Sequence, residues 1–138
     1  MPLLVNNKTT ITMKKKIRME YLLKPSSGNI LWNVISTPSG LQRWFADSVT
    51  QSDKIFTFKW GKQETRDAEV INYRGDSFIR FHWTDDNSKN YFELKIQYNE
   101  LTNDLLLEIT DFADQGEEED TINLWNSQIE NLRRVCGV

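Results

Sequence analysis

Residues 116–138 read GEEEDTINLWNSQIENLRRVCGV, and this closing stretch decides the fold. Its apolar side chains Ile122, Trp125, Ile129, Leu132 and Cys136 recur at alternating steps of three and four, which places them in one stripe along an α-helix. Glu117 to Asp120 lie at the start and Arg133-Arg134 at the end, so charge matches the helix dipole at both poles, and Gly137 suits the stop. A helix starting near Glu118 is about 28 Å long at ~1.5 Å per residue, enough to cross a whole sheet.

Working back from the helix, the chain alternates with period two. Leu105 to Phe112 is a strand, Thr102-Asn103-Asp104 a turn, and Tyr91 to Asn99 a strand with Phe92, Leu94, Ile96 and Tyr98 on one side. Asp85-Asp86-Asn87-Ser88 forms the next turn, after a strand from Ser77 to Thr84 that sets Ile79, Phe81 and Trp83 against Arg80, His82 and Thr84. Arg74-Gly75-Asp76 is a turn, Arg66 to Tyr73 a strand whose inward face is ambiguous, and Lys54 to Trp60 a strand carrying Phe56, Phe58 and Trp60 inward, with Ile55 on the polar side. Turns this short require antiparallel pairing. At the front, Ile17, Met19, Tyr21 and Leu23 alternate through a strand from Lys16 to Lys24. Pro25 ends it, a helix capped by Ser26 or Ser27 runs to about Ser36, and Thr37-Pro38 opens a second short helix bearing Leu41, Trp44 and Phe45. The expected fold is α+β: a curved antiparallel sheet of six or seven strands wrapped around a long C-terminal helix, with two short helices after strand one.

The chain has 138 residues, a length suited to one domain, and its five Trp, seven Phe and four Tyr require a ring-rich core. Its net charge of -3 offers no field to attract a phosphate backbone, which argues against nucleic acid as a partner. Cys136 is the single cysteine, so no internal disulfide can form and a cytoplasmic location is expected. No apolar run reaches the roughly 18 residues of a membrane span, so no stable membrane insertion is expected. Residues 1–13 read as a loose N-terminal tail with Met13 as a second plausible start, and residues 14–138 as the domain.

Ser36-Thr37-Pro38-Ser39-Gly40-Leu41-Gln42-Arg43-Trp44-Phe45-Ala46-Asp47 resembles the TPEGLxRWFAD helix of the group related to activators of the heat-shock-protein-90 ATPase. Trp125 and Leu132 in the last helix look like that group's closing W…L pair, and the element order from Lys16 to Val138 resembles the helix-grip fold of the START and SRPBCC superfamily. The resemblance implies a binder of lipids, sterols, polyketides or other hydrophobic molecules, or a cyclase acting on them; in the chaperone-activator branch it implies a protein partner. The chain shows no Arg, His and Tyr constellation of the polyketide cyclases along its inward positions, so a non-enzymatic role is expected, with no catalytic residues, no metal and no cofactor.

The rings and apolar groups expected to face the space between helix and sheet are Tyr21, Phe45, Phe58, Trp60, Phe81, Trp83, Tyr98, Trp125 and Ile129. These form the candidate site for a small hydrophobic, lipid-like ligand, with Tyr21 or Tyr98 orienting it through a polar tip. The alternative is a protein-interaction module with a filled core and an exposed patch around Trp32 or Trp44. The sequence leaves the oligomeric state open. His82 is the single histidine and is expected on the solvent face. Glu117 to Asp120 read as a dipole-matched helix start rather than a cation site, Arg74-Gly75-Asp76 as a turn, and Cys136 as a packed thiol.

Overall fold

Ile17, Met19 and Leu23 are buried along one side of the first strand, β1 (Lys15–Leu23), and their cross-strand partners Asp111, Ile109 and Leu105 belong to the last strand, β7 (Asp104–Ala113). The first and last strands therefore lie side by side. Between them a 3₁₀ turn (Pro25–Ser27), α1 (Gly28–Ser36) and α2 (Pro38–Gln42) lead into β2 (Ser48–Ser52), β3 (Ile55–Trp60), β4 (Glu64–Arg74), β5 (Phe78–Trp83) and β6 (Phe92–Asn99). After β7 comes α3 (Glu118–Cys136). The result, a computed structural model describing residues 14–138, is one seven-stranded antiparallel sheet in the order β1-β7-β6-β5-β4-β3-β2, curved around α3. The expected tail and alternative start at Met13 lie outside the described residues.

β2 is the strand that periodicity missed. It is an edge strand in which Val49 alone is buried, so its Ser, Thr and Gln side chains carry no alternating signal. Its hairpin turns at Asp53, which holds φ 55, the left-handed conformation that Asp tolerates better than most residues. In β4 the register shifts between Val70 and Asn72, a bulge that changes the phase of the alternation and sets Tyr73 opposite Ile79; Ile71 and Tyr73 are both exposed.

α1 opens through the 3₁₀ turn, and Ser27 makes no side-chain cap there. Thr37 does cap α2, its hydroxyl accepting from the Gly40 N–H at 2.9 Å. Gly40 sits where α2 crosses α1: a Cβ there would stand 2.1 Å from the Asn33 carbonyl oxygen. That close approach lets the Trp44 indole reach back to the Val34 carbonyl at 2.7 Å. Trp44 is consequently only 2% exposed, and Trp32 packs half-buried against the core, so the expected surface patch around Trp44 does not exist.

α3 buries Thr121, Trp125, Ile129 and Leu132, while Ile122 and Cys136 flank the stripe half-buried. Gly137 terminates it at φ 69, donating to the Arg133 carbonyl. Polar contacts hold the helix in place from both sides. Asn131 donates to the Trp44 carbonyl at 2.7 Å, Arg133 to the Leu22 carbonyl at 3.0 Å, and the Tyr21 hydroxyl to Asn126 Oδ1 at 2.7 Å. Among the described residues no helix is long and apolar enough to cross a membrane.

Candidate functional site

Pairing places the large rings in direct contact. Phe81 of β5 faces Phe92 of β6 across the ladder, and their rings stack with centroids 5.0 Å apart. Ala68 lies opposite both Phe56 and Trp83, a small side chain over which neighbouring rings close. Phe45, just past α2, meets Trp125 at 5.7 Å and Phe92 at 6.1 Å in stacked geometry, and Phe58 at 5.3 Å and Trp60 at 5.8 Å edge-on. These are ordinary aromatic packing distances. The expected site residues Phe45, Phe58, Phe81, Trp125 and Ile129 are all buried in the core.

At the edge of the ring stack Trp60 and Trp83 are half-buried, 6.3 Å apart, and the Trp60 indole is fixed by donation to the Phe45 carbonyl at 2.8 Å. Arg66, two residues before the buried Ala68, shares its face of β4 and lays its guanidinium 4.1 Å from the Trp83 ring centroid. Its Nε and Nη2 donate to the two carboxylate oxygens of Asp85 at 2.8 and 2.6 Å. That bidentate bond holds the Asp85 carboxyl below the usual carboxylate range.

Asp111 carries a further charge beside the ring stack. It follows Leu105, Leu107 and Ile109 on the inward side of β7 and accepts a 2.8 Å hydrogen bond from Trp125 Nε1. Burial pushes its carboxyl up to about 6, against the lowering effects of the Trp125 bond, the Phe112 N–H and the more distant Lys14 and Arg66. Neither Arg66 nor Asp111 was among the residues expected from the sequence. Asp111 carries a legible signal, a charge on the apolar parity of its strand; Arg66 lies on a strand whose alternation is ambiguous.

Two expected ligand contacts differ from the rest. Tyr21 is half-buried beside the core, with its hydroxyl on Asn126 and its ionisation shifted upward by burial. Tyr98 does not line the interior. It is 55% exposed and bonds Asn103 across the β6–β7 turn, because the strand runs on past the cover of the helices.

His82 lies on the outer face as expected, yet it is not a free solvent-facing side chain. Its Nδ1 is 2.7 Å from the Asn90 carbonyl and its Nε2 3.0 Å from the Asp86 carbonyl, so it spans the β5–β6 connection. Burial raises the Cys136 thiol above its ordinary range, the behaviour of a packed sulfur rather than a nucleophile. Among the described residues no three His, Cys, Asp or Glu side chains stand together to hold a metal ion.

A curved sheet gripping a terminal helix, with rings packed between them, defines a helix-grip domain. The START-like superfamily domain matches residues 11–138, and the chain belongs to that superfamily, whose domains are generally non-catalytic ligand-binding modules. A Bacteroides fragilis protein, structural-genomics target BfR322, is 56% identical over 89% of this chain and 91% of that one, with a TM-score of 0.66. DynU16, a protein of the dynemicin biosynthetic locus, has a TM-score of 0.71 at 14% identity, covering 89% of this chain and 47% of its own. The Aha1 dimer from Colwellia psychrerythraea has a TM-score of 0.66 at 12% identity, covering 88% of this chain and 96% of its own. The last two likenesses show the fold alone. No curated protein matches the chain.

Proposed function

We propose that this domain binds a small hydrophobic or amphipathic molecule without chemical conversion, at the junction of α3 and the sheet where Trp60 and Trp83 reach the surface. The observation that carries this reading is the pairing of half-buried rings with a few fixed polar groups, Arg66, Asp85 and Asp111, at one end of an otherwise packed interior. Rings supply apolar area and the polar groups orientation. Membership of a superfamily of ligand-binding modules supports the same reading. With a disulfide-free chain, the cytoplasm is its proposed location. Native mass spectrometry of freshly purified protein tests the proposal. A stoichiometric adduct of low mass is expected, and its absence together with no thermal shift across a panel of lipids and apolar metabolites overturns it.

A second reading, a protein-docking module of the chaperone-activator kind, is favoured by the tight ring stack, in which Phe45 touches four aromatic neighbours besides Trp44. Its anchor is not Trp44, which is buried. A stoichiometric protein partner retained by a wild-type bait and lost on Leu101→Asp or Tyr73→Ser, two exposed apolar positions, supports this reading over ligand binding.

A further inference from the structure

Building on the ligand-binding reading, we propose that Arg66 is the receptor for the head group of an amphipathic monocarboxylate, and that Asp85 is an internal stand-in which the ligand's carboxylate displaces. The guanidinium is prepared for a planar two-oxygen partner: the Trp83 ring fixes its plane at 4.1 Å, and its Nε and Nη2 form a two-pronged bond at 2.8 and 2.6 Å. Its present partner is weakly committed. The Asp85 side chain is 57% exposed against 20% for Arg66, and it belongs to the connection after β5 rather than to the sheet. A half-submerged cation facing a mostly solvated anion gains little net stability from that pair, so exchanging one carboxylate for another costs little.

A ligand adds what Asp85 lacks, an apolar body. Laid against Trp60 and Trp83, that body excludes water from the fork and strengthens the ion pair it forms there. One guanidinium matches a single negative charge, and Asp111 on the inward side of β7 adds an acidic group facing the same ring stack. A carboxylate head meets both conditions better than a dianion such as a phosphate monoester.

Calorimetric titration near neutral pH with decanoate and with its uncharged counterpart decanol tests the proposal on wild-type protein, Arg66→Gln and Asp85→Asn. Wild-type protein is expected to bind decanoate about ten-fold more tightly than decanol, the value of a charge-assisted bidentate bond. Arg66→Gln removes that preference while decanol binding persists. Asp85→Asn, at an exposed position where folding is not at stake, tightens decanoate about three-fold by removing the internal competitor and leaves decanol unchanged. Equal binding of the two probes by wild-type protein overturns the assignment of Arg66 but leaves the ligand-binding reading standing. Weaker decanoate binding by Asp85→Asn also overturns it, and failure of both probes to bind any variant overturns both.

Discussion

Trp125 donates its indole N–H to the Asp111 carboxylate at 2.8 Å, joining the last helix to the last strand through the one acidic side chain set after Leu105, Leu107 and Ile109 on the apolar side of β7. The bond satisfies two groups at once, since a buried indole needs an acceptor and a buried carboxylate a donor. It also sets an energetic cost, because the charged carboxylate is held where solvation is poor.

Asp111 therefore makes stability depend on pH. Its carboxyl titrates at about 6 in the folded protein against 3.8 for an ordinary aspartate. A raised folded value means that the group's stabilising contribution is fully present below about 3.8 and is lost as pH rises through about 6. The difference is on the order of 2–3 kcal/mol. Urea melts of wild type and Asp111→Asn across this range should diverge: relative to the variant, wild type loses stability from pH ~4 to ~7. Taking the difference cancels Asp85, whose depressed value works in the opposite sense. Parallel curves would contradict the assignment.

Trp125 stacks on Phe45 at 5.7 Å and is 1% exposed. Trp125→Ala opens a cavity under α3, and a loss of about 3–5 kcal/mol is expected, measured by denaturant unfolding. Trp125→Phe keeps much of the ring contact but withdraws the donor from Asp111, so it should cost less and shift the Asp111 titration further upward.

His82→Ala should destabilise the protein by about 1–2 kcal/mol, because it removes the N–H bond that the ring's tautomer gives to the Asn90 or the Asp86 carbonyl and the ring's packing between the two. Sequence periodicity alone predicts almost no effect at this position. Amide hydrogen exchange in residues 85–90 should rise in the variant, and an unchanged melt with unchanged exchange would contradict the clamp.

Gly40→Ala tests the crossing of α1 and α2. A methyl group at that position collides with backbone, the Asn33 carbonyl and the Val34 Cα at 2.6 Å, and neither can swing aside as a flexible side chain does. The two helices must separate, which also draws Trp44 off the Val34 carbonyl. A loss of about 2 kcal/mol or more is expected in thermal or urea unfolding.

The strands with one buried face were legible in the sequence because burial imposes a period of two: Ile79 and Phe81 in β5 and Leu105, Leu107 and Ile109 in β7 all point as their alternation requires. α3 was legible for the same reason at a helical period. Alternation says which face a side chain occupies but not how far along the strand the cover extends, so Tyr98 has the inward parity and still stands in solvent. It is equally silent on what a loop does once the chain has turned, which is why His82 has the expected face but sits between two carbonyls. β2 carried too little apolar character to register, and the bulge after Val70 broke the phase of β4. Asp111 was readable as a charge on apolar parity and Arg66 was not, and the importance of both comes from contacts with Trp125 and Trp83 that only the folded chain creates.

The central claim is that a ligand binds where Trp60 and Trp83 surface beside α3. The most direct test follows the indole N–H signals of the five tryptophans in ¹⁵N-labelled protein during titration with decanoate. Saturable shifts of Trp60 and Trp83, with Trp32 and Trp44 unmoved, are the predicted result. Indole signals that do not move, or a response confined to Trp32 and Trp44, would contradict it.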